Sequence, residues 1–253
     1  MKDITILGSG NVAHHLIRYV QNSHSLNLQQ IYARSPEKII LSGLDVSKII
    51  TDLNQLQEAD LYIIAVSDDA IGELSDRLPF ENRLVVHTSG TAPIEVMNAK
   101  NRRGVFYPLQ TFSKNKEVDF KTIPMCLEAD TDDDFETIKY IAEQFSDHVY
   151  QISSVQRKSI HVSAVFVNNF VNHMYVLGNK ICDEHNIPFQ ILQPLIKETA
   201  DKIVSVKPID AQTGPAVRKD SKTIEKHLAF LDENIDLKNL YLTLTESIQN
   251  YNV

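Results

Sequence analysis

Apolar positions in the first half of the chain come in short, nearly continuous runs separated by polar or turn-forming residues. Residues 4–7, 28–33, 61–66 and 84–88 have this form, and 47–51 is a weaker example. Runs of this kind suit the strands of a parallel sheet covered on both faces. Further strands are predicted over 104–107, 123–129 and 148–152. A helix over 133–145 is expected to be capped by Asp132, Asp133 and Asp134, an acidic run read as a solvated start that favours the helix dipole. From Gln156 onward the pattern changes. The segment to Glu184 contains no proline and one glycine, Gly178, and helical stretches follow near 190–204, 221–232 and 237–250. Alternation over 160–167 reads locally as a strand, but the length of the segment favours helix. The pattern predicts an α/β domain over 1–153 and an all-α domain over 154–253.

The first strand runs into Gly8-Ser9-Gly10-Asn11-Val12-Ala13, a GxGxxA turn followed by an amphipathic helix. Strand, glycine turn and helix in this order open a Rossmann-type dinucleotide-binding unit. Gly8 permits the tight turn, Gly10 lets backbone approach a pyrophosphate, and Ala13 lets helix and strand pack closely. The phosphates would meet N–H groups at the helix start. Cofactor contacts are therefore expected from Gly8, Ser9, Gly10, Asn11 and Val12, and from Val66 and Ser67 at the end of a later strand. About twenty residues past the glycines, the second strand ends in Ala33-Arg34-Ser35-Pro36. An NAD site wants a carboxylate there for the ribose 2′-hydroxyl, whereas a 2′-phosphate wants a cation and a hydroxyl. Arg34 and Ser35 predict NADP over NAD; Lys38 could add charge, although taken alone it reads as a surface lysine.

Composition narrows the classes. With 253 residues, 43% hydrophobic and 23% charged, the chain has ordinary globular composition with room for one large or two medium domains. The net charge is −8, without a basic block interleaved with aromatics, so a nucleic-acid partner is not expected. Cys126 and Cys182 lack metal-type spacing and read as reduced thiols of a cytoplasmic protein, with no metal site. Neither a secretory signal nor a membrane span is expected: the first strand begins at Ile4, and the most apolar region is broken by Asn168, Asn169, Asn172 and His173.

Plotted at about 100° per residue, the helix after residue 154 places Lys158, His161, Asn168, Asn169 and Asn172 within one arc. Val162, Phe166, Phe170, Met174 and Leu177 lie opposite. Apolar residues also flank the arc, which predicts a helix buried around most of its circumference, with amides that need partners. One reading is a substrate cleft between the domains, with His161 or Lys158 giving a proton; the other is a helix–helix hydrogen-bond network. His161 is the better donor because histidine titrates near neutrality, leaving Lys158 to bind an anionic substrate and Asn169 to orient it. Ser89 and Gly90 follow the strand over 84–88, at a carboxyl end where such sheets bind ligands; ordinary turn chemistry also explains them. In Gly214-Pro215-Ala216-Val217-Arg218-Lys219-Asp220, Arg218 could hold a carboxylate and Asp220 could contact substrate or cap the next helix.

Together with the glycine turn, YPLQTF at 107–112, VNNF at 167–170 and GPAVRKD at 214–220 give a chain that resembles the Rossmann-like DUF2520 family over nearly its whole length. That family is similar in fold to the 6-phosphogluconate, 3-hydroxyacid and pyrroline-5-carboxylate reductase group and to F420-dependent NADP reductases. The resemblance implies a nicotinamide nucleotide, F420 as a possible co-substrate, and a helical domain that forms a homodimer. Its usual HPLQTF and GPxxRGD patterns make Tyr107 and Lys219 departures. The combined expectation is an NADP-dependent oxidoreductase acting on a small polar carbonyl or imine. The alternative is a non-catalytic NADP-binding sensor or assembly protein.

Overall fold

The computed structural model describes residues 1–114 and 116–251, and the chain forms two compact units that meet in sequence between Val165 and Phe166. The first unit holds an eight-stranded sheet: β1 (Lys2–Leu7), β2 (Leu26–Tyr32), β3 (Ile49–Ile50), β4 (Leu61–Ile64), β5 (Leu84–His87), β6 (Arg102–Pro108), β7 (Met125–Ala129) and β8 (Val149–Gln151). Their order is β3-β2-β1-β4-β5-β6-β7-β8, and every neighbouring pair is parallel except β6 and β7. The predicted strands are all present within a few residues. β3 is the most reduced, because the Asp45 side chain accepts a hydrogen bond from Ser47 N and turns Val46–Lys48 into a 3-10 helix.

Side-chain alternation explains the two covered faces. Ile4 and Ile6 pack with Leu16, Ile17 and Val20 of helix α1 (Asn11–Gln21), whereas Leu7, Tyr62 and Ile64 pack with Ile71 and Leu74 of α2 (Asp68–Asp76). β1 pairs with β2 on one side and β4 on the other. The strand order therefore reverses at the carboxyl ends of β1 and β4, where doubly wound sheets bind their ligands.

The acidic run at the next helix is not the cap that the sequence suggested. In α3 (Asp132–Phe145) the N-cap is Thr131, whose side chain accepts from Asp134 N. Asp134 is buried and takes an ion pair from Arg102 at 2.6 Å. Only the first two aspartates form a solvated start.

The predicted long helix opens as α4 (Ser154–Ala164), with Ser153 and Gln156 forming a reciprocal capping box. A π-helical turn, Val165–Phe170, then leads into α5 (Val171–Glu184). The wider i→i+5 turn departs from the regular 100° projection on which the predicted arc rests. Nor is this helix buried around its circumference: of its described residues only Arg157 and Cys182 are buried, and Asn168, Asn169 and Asn172 are exposed.

The second unit continues with α6 (Gln193–Ser205), a short α7 (Pro208–Ala211), α8 (Ser221–Phe230) and α9 (Ile235–Tyr251). Among its described residues only Cys182, Ala216 and Thr245 are buried. Lys219 lies in the left-handed region with φ of 52°, which accounts for the glycine at this place in the GPxxRGD pattern.

Candidate functional site

Gly8 follows β1 with φ of 146°, and a Cβ there would run into the Ala65 carbonyl just past β4. The glycine turn is thus a steric condition for closing the two strand ends together. Gly10 serves differently. It is the N-cap of α1, it makes no side-chain cap, and a Cβ built on it would meet nothing within 4 Å. The first turn of α1 therefore points uncapped N–H groups into open space, the arrangement that receives a phosphate.

That space is a cavity of about 600 Å³. Gly8, Ser9, Gly10, Asn11 and Val12 line it, as do Arg34 and Ser35 past β2, Val66 and Ser67 past β4, and Ser89, Gly90 and His161. Twelve residues proposed separately from sequence are brought together here. Lys158 is exposed on α4 and does not line the cavity. Asn169, Arg218 and Asp220 lie in the second unit, where Asp220 caps α8 by accepting from Thr223 N at 3.1 Å and Thr223 Oγ1 at 2.8 Å.

In the lining of the same cavity, Tyr107 Oη and His161 Nδ1 are hydrogen-bonded at 3.1 Å. Gly90 is packed against this pair: a Cβ there would collide with His161 Nδ1 and lie 2.9 Å from the Tyr107 oxygen. Burial pushes the Tyr107 phenol up to about 12, outweighing the positive charge of Arg157, so it stays protonated. The pairing leaves Nε2 of His161 as the ring nitrogen available to a ligand.

Behind this pair sits a buried charged network that the sequence reading missed. Arg157 is 1% exposed and pairs with Glu128 of β7. It also donates to the Ala92 carbonyl at 2.6 Å and to Ser154 Oγ at 3.1 Å. Glu128 in turn accepts from Ser154 N at 2.9 Å and Ser154 Oγ at 2.7 Å. The network ties β7, the loop after β5 and the first turn of α4 together, one helical turn before His161. A carboxylate inside the strand Met125-Cys126-Leu127-Glu128 was the available signal, since a charge on a covered strand demands a partner. His87, fully buried on β5, accepts from Ser89 N at 3.1 Å through Nδ1. Its pKa falls to about 4, chiefly through burial and then through the charge of Arg157.

The profile of DUF2520, a domain of unknown function, matches residues 123–248. No functionally curated protein sequence matches the chain. Among solved structures, a Bacteroides fragilis protein assigned provisionally as an NADP oxidoreductase is 39% identical, with 98% of each chain covered and a TM-score of 0.86. A Thermotoga maritima protein is 20% identical over 98% of each chain at 0.76. Plasmodium falciparum pyrroline carboxylate reductase with NADP bound is 12% identical over 98% of each chain at 0.57. The last two are likenesses of fold.

Proposed function

The chain belongs to the DUF2520 family, and from that premise we propose that it is an NADP-dependent oxidoreductase acting on a small polar carbonyl or imine. The observation that carries this reading is one cavity lined by the glycine turn, Arg34 with Ser35, and the Tyr107–His161 pair. The 39% identical relative, assigned provisionally as an NADP oxidoreductase, supports the same class. The residues present fit the cofactor: the uncapped start of α1 and the Cβ-free face of Gly10 suit a pyrophosphate. Arg34 and Ser35 offer a cation and a hydroxyl to a 2′-phosphate, and Val66 and Ser67 line the same cavity. When bound, the nicotinamide supplies or takes up a hydride.

In this proposal the chain's own residues manage the proton and the orientation. His161 in its charged form directs Nδ1–H to the Tyr107 oxygen and presents Nε2–H to the substrate atom that gains charge. Tyr107, held neutral, fixes the ring. Lys158, Asn169 and Arg218 are proposed substrate contacts on sequence grounds, and for Asp220 that role competes with the cap of α8. Exposed Phe166, Phe170, Ile191, Leu195 and Val204 in a unit with so few buried residues support a two-fold dimer. Light scattering checks that state directly. Two buried free thiols fit the proposed cytoplasmic setting, and no described helix is long and apolar enough to cross a membrane.

The test is oxidation of NADPH with a panel of keto acids, cyclic imines and oxidised F420. Turnover with one of them, lowered by about 10²–10⁴ in kcat in His161→Ala with NADPH affinity kept, supports the reading. Tight NADPH binding with no turnover across the panel overturns it in favour of a sensor.

A further inference from the structure

The segment after β6 carries an unassigned cation, Lys114, to the 3-10 helix Pro36–Lys38, whose Lys38 lines the cavity with Arg34; Lys114 itself lies outside the lining. Gln110 and Phe112 line the cavity wall, and the Phe112 carbonyl accepts from Asn11 Nδ2 at 2.9 Å, at the start of α1. One residue on, the Ser113 carbonyl meets His15 Nε2 at 3.0 Å. Lys114 then donates from its ammonium to the Lys38 carbonyl at 3.2 Å. Residues 110–114 thus form a strap held at the start of α1 and at the 3-10 helix Pro36–Lys38.

Charge gives the strap a purpose. The chain carries a net charge of −8, and many of its cations are matched with carboxylates, including Arg18, Arg77, Arg83, Arg102 and Arg103. Arg34, Lys38 and Lys114 form no such pair among the described residues. Arg34 and Lys38 line the cavity together with Asp68 and Glu73, and Lys114 is tied to the Lys38 backbone; three cations without carboxylate partners in this neighbourhood favour a multiply charged anion. The Lys114 ammonium keeps donors to spare beyond its single carbonyl partner.

We propose that Lys114 is a specificity-determining residue, a cation delivered by the strap to the adenosine 2′-phosphate of the cofactor beside Arg34. This rests on the reading of the cavity as an NADP site. It differs in assigning discrimination to a loop distant in sequence from the β2 end.

Calorimetry on the whole protein tests it, with NADPH, NADH, adenosine 2′,5′-bisphosphate and ADP as probes. An exposed charge contact of this kind is worth about three- to fivefold in affinity. Lys114→Ala should weaken NADPH and the bisphosphate by that factor, leave NADH and ADP unchanged, and recover in Lys114→Arg. Equal weakening of all four probes, or no weakening, overturns the proposal. Arg34→Ala separates the two layers. If it lowers NADPH affinity while Lys114→Ala does not, the strap assignment fails and the NADP reading stands. If the parent protein does not prefer NADPH to NADH, both fail.

Discussion

Replacing Arg157 by Met removes one buried cation and exposes what the site is built on. The Arg157 side chain is 1% exposed, and its loss takes away the Glu128 ion pair and the hydrogen bonds to the Ala92 carbonyl and Ser154 Oγ. Met has nearly the right length and fills the space, so the cost is electrostatic. Glu128 keeps Ser154 N and Oγ as donors but loses its counter-charge, and the Ala92 carbonyl loses its guanidinium donor. Breaking a buried pair from one side costs about 3–5 kcal/mol. The Glu128 side chain is 18% exposed, so water recovers part of the penalty and about 3 kcal/mol is expected. For a unit of this size that lowers the melting temperature by about 6–12 °C in scanning calorimetry. Adding Glu128→Gln should restore part of the loss, because the uncompensated carboxylate is then gone. A single variant melting within about 2 °C of the parent, or a double variant melting below the single one, would refute the reasoning.

Gly90→Ala should displace the Tyr107–His161 pair, since its Cβ would collide with His161 Nδ1. A stability loss of about 1–3 kcal/mol and a changed histidine signal in NMR are expected, and unchanged spectra would count against the packing described. His87 makes stability pH-dependent with a definite sign. Its folded pKa of about 4 lies below the ordinary histidine value of 6.5, so the unfolded chain binds more protons between these values. Its contribution is complete above pH 6.5 and is lost as pH falls through about 4, a slope worth up to about 3 kcal/mol. Denaturant titrations of the parent and His87→Gln should show a shallower acid decline in the variant; parallel curves would contradict it.

The sheet was legible because its strands are short apolar runs bounded by turns, and the glycine motif pointed to one part of the cavity lining without help from tertiary contacts. Ser67, Ser89, Gly90 and His161 could be placed near it because they stand at strand ends or one turn into a helix. What could not be read were features set by pairing across distant segments. Arg157 and Glu128 lie far apart in sequence, and neither residue alone discloses the other. The π turn at Val165–Phe170 carries no period of its own in the sequence, so a projection that assumed regular helix could not show it. Tyr107 looked like a departure from a histidine pattern; only the antiparallel register of β6 with β7 and the start of α4 show it holding His161. Apolar helix faces predicted as buried are exposed in the single chain, because amphipathic pattern reports a need for cover and not its source.

In the proposed function, the cavity at the β1–β4 switch takes NADP through Arg34 and Ser35. Calorimetric titration of the purified protein with NADPH and with NADH, repeated on Arg34→Asp, tests it most directly. A charge-assisted contact to the 2′-phosphate predicts NADPH binding about ten- to a hundredfold tighter than NADH, with the preference abolished in the variant. Equal affinities in the parent protein, or a preference that survives Arg34→Asp, would contradict it.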